Sequence, residues 1–540
     1  MSVQIKFCGA AGIVTGSCYL ITVPEGKFLV DCGMYQGTKT VRELNYGDFG
    51  FDAREIEFVL LTHAHIDHSG LLPKLVREGF DGKIYATQAT KDLLAYMLPD
   101  SAFIQMSEVE RLNRTNRHRG QPEIEPIYTA KHAEACLDLI DPVNLDTWLD
   151  LPFGIRGRYW NAGHILGSGS IELELPNEDG KKTHMLFSGD LGPEHKAFHD
   201  DPDGPKEIDY VLVESTYGDR ERPDYTLESR RKNLRDEILA AREAGGNIII
   251  PSFAVERAQE LLLDLDTLMN SGEIPQMTVF IDSPLATKVT EVFKKHQCDM
   301  QQMEEDSCPF TGKNFKFTES VEESKAINMI RSGAIIMSAS GMCEAGRIRH
   351  HLRNNLWDAK ATVIFVGYQA EGTLGKMLQE GAERVRIHGE EIEVRARIRT
   401  LHEYSAHADQ SELVAWVKER LPVRKGIFLT HGADYARAML REKLAGEGID
   451  PKMIFPPMID DVYRLDGEKP EKIVTGKSRL SAEGIAARDS HNEYASFVLE
   501  LSNTLRGMKG EEARKRLIAD LTERVRQDAP TGKKAKRNNG

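Results

Sequence analysis

The sequence predicts an α/β protein whose short strands end in polar, metal-capable side chains and whose middle part forms a separate parallel sheet. Three observations support this fold class. Short apolar runs are followed by Gly-rich turns throughout the chain, which is typical of strand–turn units. Helical and strand patterns alternate from residue 227 to residue 367, and this alternation predicts a parallel sheet covered by helices. Residues 59–70 place four metal-capable side chains directly behind an apolar strand.

The composition indicates a globular protein of two or three domains. The chain has 540 residues, of which 40% are hydrophobic and 7% aromatic. The 84 acidic and 70 basic residues give a net charge of −14, which excludes a global basic field that would attract polyanions non-specifically. The seven cysteines are scattered without a CxxC pair, so we expect reduced thiols and a cytoplasmic location. We see no apolar window of about 18 residues that would predict a membrane span, and no secretion signal at the start of the chain.

Residues 2–31 predict three short strands, Val3–Phe7, Cys18–Val23 and Lys27–Val30, joined by Gly and Pro turns. Asp31 ends the third strand. A carboxylate in this position is either a simple turn former or a support for metal-binding residues nearby, and the residues alone leave both interpretations open.

The stretch Val59–Gly70 predicts a metal site. Residues two apart in an extended strand face the same way, so His63 and His65 can bind one cation together. Asp67 and His68 follow where the chain turns into a helix, and they point at a neighbouring position. One metal does not need both pairs, whereas two metals do. Imidazole and carboxylate ligands without thiolate favour zinc, with manganese or iron as alternatives.

Two further strand ends offer ligands. Arg156–Trp160 is a predicted strand that runs into a Gly-rich loop with His164, and its position favours a third ligand. Met185–Ser188 is a predicted strand that leads to Asp190 beside two glycines. Because a carboxylate has two oxygens, we expect Asp190 to bridge two cations.

Residues 63–68, His164 and Asp190 resemble, in their order, the ligand pattern of the metallo-β-lactamase superfamily, and that resemblance implies one more histidine for the second metal. His195 and His199 lie in an acidic, Pro-rich loop with no strand before either, so we expect both at the surface. Ile427–Thr430 is the last apolar strand, and it ends at His431. About 240 residues separate Asp190 from His431, and an inserted domain explains the gap.

The inserted domain begins with the predicted strand Tyr210–Val213. Its helices and further strands are predicted at Leu227–Ala244, Asn247–Pro251, Val255–Met269, Thr278–Ile281, Leu285–His296, Ala334–Met337, Gly346–Asn354 and Thr362–Gly367. Two of its strand–helix loops, residues 338–347 and 367–375, are rich in small residues. We expect both loops to contact phosphates of a substrate through backbone amides at helix starts. Ile392–Ile398 is a predicted strand after this domain.

Nine motifs occur in a fixed order: THAHIDH, AGHILGS, SGDLG, VESTYGDR, IPSFAVERAQE, SASGMCEAGR, GYQAEGTLG, YSAHADQ and THG. Together they resemble the β-CASP nucleases of the metallo-β-lactamase superfamily over residues 1–455. The resemblance implies a metallo-β-lactamase αββα sandwich with an inserted parallel α/β β-CASP domain and a helical C-terminal extension. The implied domains are residues 1–209 and 386–455 for the sandwich, 210–385 for the insertion, and 456–540 for the extension, whose residues 528–540 are expected to be disordered.

The same resemblance implies a pair of zinc ions, with manganese as an alternative. The ligands of the first ion would be His63, His65, His164 and Asp190. The ligands of the second ion would be Asp67, His68, His431 and the shared Asp190. Asp31 would support the histidine ligands without touching a metal.

The resemblance also implies a catalytic pair. Glu214 matches the acidic residue that opens the inserted domain, and His407 matches the histidine that is paired with it. A metal-activated hydroxide would attack phosphorus, and His407 would donate a proton to the leaving 3′ oxygen, which typically contributes about 10²–10⁴ in rate. Asp67 belongs to this catalytic set as well as to the ligands. Four residues are expected to hold the substrate: Ser338, Ser340, Tyr368 and Ser405.

The implied function is a zinc-dependent ribonuclease that cuts single-stranded RNA, more by endonucleolytic than by exonucleolytic cleavage, because neither a KH module nor an RNase J tail is recognisable. A DNA nuclease is disfavoured because DNA-directed members usually carry an apolar residue where this chain has His431. The inserted domain argues against an ester or thioester hydrolase. The complete ligand set argues against a silent RNA-binding scaffold. Helices predicted at Ser481–Ala487, Glu493–Leu505 and Glu511–Val525 either pack on the body or pair subunits in a homodimer.

Overall fold

The computed structural model describes residues 3–177, 180–222, 226–297, 300, 309–367, 369, 372–473, 478–479 and 517. Almost all of them belong to one compact unit, which spans residues 1–37 and 41–479. Residues 38–40 and 480–540 form a second unit, of which only 38–40 and Leu517 are described. The three predicted C-terminal helices therefore lie outside the described residues, apart from Leu517.

The strands are, in chain order, β1 (Gln4–Phe7), β2 (Tyr19–Val23), β3 (Gly26–Val30), β4 (Ile56–Leu60), β5 (Lys83–Thr87), β6 (Ile140–Val143), β7 (Leu149–Asp150), β8 (Arg156–Asn161), β9 (Gly169–Pro176), β10 (Lys182–Phe187), β11 (Tyr210–Glu214), β12 (Ile248–Pro251), β13 (Thr278–Ile281), β14 (Phe315–Phe317), β15 (Ala334–Ser338), β16 (Thr362–Val366), β17 (Arg384–Ile387), β18 (Glu390–Glu393), β19 (Arg397–Leu401), β20 (Gly426–Thr430), β21 (Ile454–Phe455), β22 (Val462–Arg464) and β23 (Glu471–Ile473).

The α-helices are α1 (Lys39–Glu43), α2 (Ile66–Ser69), α3 (Leu72–Arg77), α4 (Gln88–Arg119), α5 (Ala130–Asp138), α6 (Leu227–Ala244), α7 (Arg257–Asn270), α8 (Pro284–Lys295), α9 (Val321–Ile327), α10 (Ile348–Asn355), α11 (Leu374–Gln379), α12 (Gln410–Glu419) and α13 (Asp434–Gly446). Within the described residues, none of these helices is long and apolar enough to cross a membrane.

Two sheets form the sandwich that carries the predicted ligands. One has the strand order β23-β22-β1-β2-β3-β4-β5-β6, and the other has the order β21-β20-β11-β10-β9-β8-β7. Aromatic side chains meet between the two sheets: the ring of Phe7 lies 5.3 Å from that of Phe428, and the ring of Tyr19 lies 5.9 Å from that of Phe187. Helices α12 and α13 cover the outer face of the second sheet through a buried apolar cluster that includes Val417. This is the αββα arrangement that the motifs implied.

A third sheet forms the core of the inserted domain. Its strand order is β14-β13-β15-β12-β16-β19, and every pair in it is parallel. Strands β12, β15 and β16 are buried along their whole length, as expected for a parallel sheet with helices on both faces. The predicted alternation of helices and strands in this region is therefore confirmed.

The boundaries of the insertion differ from the predicted residues 210–385. Strand β11 belongs to the second sandwich sheet, where it lies parallel to β10 and β20. The predicted strand Ile392–Ile398 is instead two strands, β18 in a hairpin with β17, and β19 at the edge of the third sheet. We therefore place the insertion between the end of β11 and the end of β19. Such domain boundaries depend on which strands pair with each other across long stretches of the chain. Local apolar patterns do not reveal that pairing.

The segment after residue 455 also differs from the helical extension that was predicted. Strand β22 pairs with β1, and β23 pairs with β22, so both extend the first sandwich sheet. These strands have only three residues each, which is too short for a periodic pattern.

Candidate metal centre and the paired acid

The predicted ligands lie where strands of the two sandwich sheets end. Strands β10, β11 and β20 are parallel neighbours, and Asp190, Glu214 and His431 stand at the same edge of that sheet. Strands β3 and β4 are parallel in the facing sheet and end before Asp31 and His63. Because the carboxyl ends of parallel strands share one edge, residues far apart in the chain meet in one cluster.

Four side chains form the first half of this cluster: His63, His65, His164 and Asp190. Nδ1 of His65 lies 3.2 Å from Nε2 of His63 and 3.1 Å from Nε2 of His164. Oδ2 of Asp190 lies 3.5 Å from Nε2 of His63 and 3.6 Å from Nε2 of His164. These separations match the edges of a tetrahedron of ligands about 2.0–2.1 Å from a zinc ion, which are roughly 3.3 Å long.

Three side chains form the second half: Asp67, His68 and His431. Nε2 of His431 lies 3.1 Å from Nε2 of His68 and 3.4 Å from Oδ2 of Asp67. The second carboxylate oxygen of Asp190, Oδ1, lies 3.2 Å from Nε2 of His68. Asp190 therefore faces both halves, one with each oxygen, which is the position expected of a bridging ligand.

The charge states of the cluster suit cation binding. Burial lowers the pKa of His63 and of His164 well below the usual range, so both imidazoles are neutral and keep a lone pair for a metal. Burial alone would raise the pKa of Asp190, but His431 and His68 outweigh it and hold that pKa well below the usual range. Burial would lower the pKa of His68, but the carboxylates of Asp190 and Asp31 outweigh it and raise that pKa well above the usual range, so a cation bound there would replace the proton of His68. Imidazole nitrogens and an ionised carboxylate are a donor set that fits a divalent cation such as zinc.

Hydrogen bonds from outside the cluster orient its histidines. Asp31 accepts from Nδ1 of His68 over 2.8 Å, and the backbone N–H and hydroxyl of Thr62 donate to the same carboxylate. Nδ1 of His164 donates to the carbonyl of Ala406 over 2.8 Å, so its Nε2 lone pair points into the cluster. Thr216 lies 2.9 Å from Nδ1 of His431 through its hydroxyl. These contacts orient the rings of His68, His164 and His431 without the help of a metal.

Glu214 and His407 stand beside the cluster as a pair. Oε1 of Glu214 accepts from Nδ1 of His407 over 3.0 Å and from the N–H of Leu191 over 2.8 Å. Burial would lower the pKa of His407, but the charge of Glu214 and the hydrogen bond to it outweigh burial and raise that pKa. These interactions favour the protonated form of His407 beside the metal ligands.

The predicted substrate residues are less uniform. Ser405 is buried, and its hydroxyl lies 3.3 Å from both the backbone N–H and the carbonyl of His407. Ser340 is half-buried in the loop after β15. Ser338 differs from the expectation, because its hydroxyl is buried and donates to the carbonyl of Asp282 over 2.9 Å. It is the last residue of a central strand, so its side chain packs inside the domain. Tyr368 lies outside the described residues.

His199 was predicted at the surface, and this is wrong. Its side chain is 9% exposed, and Nε2 donates to Oε1 of Glu256 over 2.7 Å. His195, in contrast, is exposed as predicted. Lys196 between them is buried and donates to the backbone carbonyl of His164 over 2.6 Å. The sequence contains no periodic signal for these contacts, because the partner carboxylate comes from the inserted domain.

Comparison with known proteins agrees with this architecture. A model of the metallo-β-lactamase superfamily matches residues 11–226, a Beta-Casp domain model matches residues 258–378, and a model described as the Zn-dependent metallo-hydrolase RNA specificity domain matches residues 391–454. The first match covers six of the seven predicted ligands, and the second covers the central part of the inserted domain. The third covers the segment with His407 and His431.

Relatives align over most of the chain. Ribonuclease TTHA0252 of Thermus thermophilus is 35% identical over 82% of this chain and 95% of its own length. An RNase J-like protein of Methanocaldococcus jannaschii is 31% identical over 80% of this chain and 93% of its own length. The transcription termination factor FttA of Methanosarcina mazei is 28% identical over 80% of this chain and 67% of its own length. The chain belongs to the β-CASP family of metallo-hydrolases within the metallo-β-lactamase superfamily.

Proposed function

We propose that this protein is a ribonuclease that hydrolyses phosphodiester bonds inside single-stranded RNA, with two zinc ions held by the cluster. The observation that carries the proposal is the meeting of His407 with the seven predicted ligands, which come from distant parts of the chain. A hydrolase for esters or thioesters would not need the inserted sheet above the ligands. Two relatives that align over almost their full length are a ribonuclease and an RNase J-like protein, and this supports RNA as the substrate class.

The residues of the cluster divide the chemical work. Divalent cations bound there would polarise the phosphodiester and lower the pKa of an attacking water. The Asp190 carboxylate balances positive charge in both halves, since its two oxygens face different histidines. Glu214 accepts a hydrogen bond from Nδ1–H of His407, which leaves Nε2–H as the proton donor to the departing oxygen.

A substrate panel tests the proposal. Purified protein, dialysed against chelator and then supplied with zinc or manganese, is incubated with end-labelled unstructured RNA, the DNA of the same sequence and a generic thioester. We expect metal-dependent cleavage of the RNA at internal linkages, leaving 5′-phosphate and 3′-hydroxyl ends. Preferential cleavage of DNA, or turnover of the thioester alone, would contradict RNA as the substrate class. If the RNA is shortened from one end and no internal cleavage products form, the enzyme is an exonuclease and the proposed endonucleolytic mode is wrong.

Two variants separate the ligands from the acid. We expect His407→Ala to retain the full metal content and to lose most cleavage, by about 10²–10⁴-fold, because only the proton donor is removed. Asp190→Ala should lose metal and activity together. Metal content measured by emission spectroscopy on the folded variants decides the matter, and a His407→Ala protein without metal would show that this role is misassigned.

The homodimer and the cytoplasmic location stay predictions. The native mass of the full chain, compared with that of a chain shortened at residue 479, tests whether residues 480–540 pair two subunits.

A further inference from the structure

The loop of residues 252–256, between β12 and α7, lies at the edge of the inserted sheet that faces the metal centre. Strands β12, β16 and β19 are consecutive parallel neighbours, so their carboxyl ends share one edge. The chain leaves β19 at Leu401 and reaches His407 six residues later. Strands in a sheet are about 4.8 Å apart, so β12 ends roughly 10 Å to the side of the strand that leads to His407.

Phe253 stands in this loop with an exposed aromatic ring. The side chain is 41% exposed, although an aromatic ring of this size is usually well covered. One side of the ring rests on Gly341, in the loop after the neighbouring strand β15: a Cβ placed on Gly341 would lie 2.9 Å from two ring carbons. The absence of a side chain at Gly341 therefore lets the ring lie close against the backbone and leaves its other side to solvent.

Glu256 ties the same loop to the metal centre at a cost in backbone strain. Its backbone has φ 66° and ψ −61°, and the N–H of Arg257 bonds to the carbonyl of Val255 over 2.8 Å, which is a γ-turn of the strained, positive-φ kind. The side chain is 1% exposed, and Oε2 accepts from the N–H of Leu166 over 3.2 Å, two residues after His164. Strain of this kind persists only where the surroundings hold the residue in place.

Buried charges complete the attachment. Oε1 of Glu256 accepts from His199 and lies 3.4 Å from Nζ of Lys196, and Lys196 in turn donates to the carbonyl of His164. One carboxylate of the inserted domain thus binds the loop that holds a predicted metal ligand. The position of Phe253, three residues earlier, is fixed relative to the metal centre by these contacts.

We propose that Phe253 is a stacking platform for an unpaired nucleobase of the substrate, and that Glu256 is the positioning residue that holds this platform beside the metal centre. The proposal rests on the proposed ribonuclease function. Bases stack on aromatic side chains without regard to sequence, so a platform here favours single strands, whose bases are unpaired, over duplexes.

An abasic scan tests the platform. A set of unstructured RNA oligonucleotides carries one abasic ribose each, moved one position at a time past a mapped cleavage site, and kcat and KM are measured for wild type and Phe253→Ala. We expect the wild type to show a rise in KM of about 5- to 100-fold when the abasic ribose occupies one position, with kcat nearly unchanged. Phe253→Ala should show a rise of similar size on intact RNA and no further rise at that position, whereas Phe253→Trp should retain the wild-type pattern.

Three further variants sharpen the test. Phe103→Ala removes a phenylalanine on α4 that is more exposed than Phe253, at 70%, and should leave KM unchanged. Gly341→Ala forces the Phe253 ring to move, so KM should rise with the ring still present. Glu256→Gly relieves the strained turn but removes the attachment; we expect the abasic penalty to spread over neighbouring positions. A global loss of folding would not move the penalty in this way.

The outcomes are distinct. If wild type cleaves RNA but Phe253→Ala keeps both the KM and the position of the abasic penalty, the platform lies elsewhere and the inference is overturned while the ribonuclease proposal stands. If metal-loaded wild type cleaves no RNA, the proposed function fails first, and the inference fails with it.

Discussion

Replacing Glu214 by glutamine is the most informative single change at the metal centre. The shape is preserved, but a buried negative charge 3.0 Å from Nδ1 of His407 disappears. Charges about 4 Å apart interact by about 4 kcal/mol at the effective dielectric constant of about 20 that suits protein sites. Losing this charge lowers the pKa of His407.

The direction of the effect on activity follows from the role of His407 as an acid. The charge of Glu214 raises the pKa of His407, so wild type keeps the protonated form to higher pH, and activity falls only when pH rises through that pKa. In Glu214→Gln the alkaline fall of kcat should move to lower pH. At alkaline pH, where His407 of the variant has lost its proton, we expect a loss of up to about 10²–10⁴-fold, and a much smaller loss at the acid end of the profile.

The assay is a kcat–pH profile on single-stranded RNA, with metal content measured on each sample. Glu172→Gln is the matched control, because Glu172 is also a buried carboxylate and accepts from Arg158 over 3.0 Å and from Trp160 over 2.9 Å, away from the cluster. We expect that control to lose stability without a shift of the profile. If Glu214→Gln keeps its full metal content and its kcat falls at the same alkaline pH as in wild type, His407 is not the acid.

Three further changes test the contacts around the cluster. Asp31→Asn weakens the hold on His68, and we expect a loss of about 10- to 100-fold in metal affinity, measured by competition with a chromophoric chelator; unchanged affinity would contradict the supporting role. Thr216→Val removes the hydroxyl beside Nδ1 of His431 and should weaken binding of one metal ion out of two, seen as a biphasic titration; a single unchanged phase would argue against it. Leu429→Ala opens a cavity in a fully buried strand and should cost about 2–5 kcal/mol in the free energy of unfolding by denaturant, and a cost under about 1 kcal/mol would mean that the sandwich repacks there.

Local patterns were sufficient for the residues that follow strands. The apolar run before His63 and the glycines beside Asp190 each signal a strand and its end, and the structure brings both residues into one cluster. To predict His431 as a ligand, it was enough to interpret the gap of about 240 residues after Asp190 as an inserted domain. Short buried strands followed by a polar residue are strong signals because the strand, the turn and the ligand are contiguous.

Contacts between distant segments were not predictable in this way. The apolar run of β11 looks the same whether its neighbours are β10 and β20 or strands of the insertion, and only the pairing decides. His199 sits in a polar loop, so its burial against Glu256 depends on a helix start more than 50 residues away. The sequence places Ser338 in a loop, but β15 is one residue longer than predicted. Ser338 is therefore a strand residue, and its hydroxyl points into the domain.

The order in which the chain is synthesised determines when β20 can pair with β11. His431 is synthesised about 240 residues after Asp190, and β20 must then pair with β11, which was synthesised much earlier. A chain that ends before His407 therefore lacks both the predicted acid and the last predicted ligand, His431. The full cluster can assemble only after β20 has been made and has paired with β11.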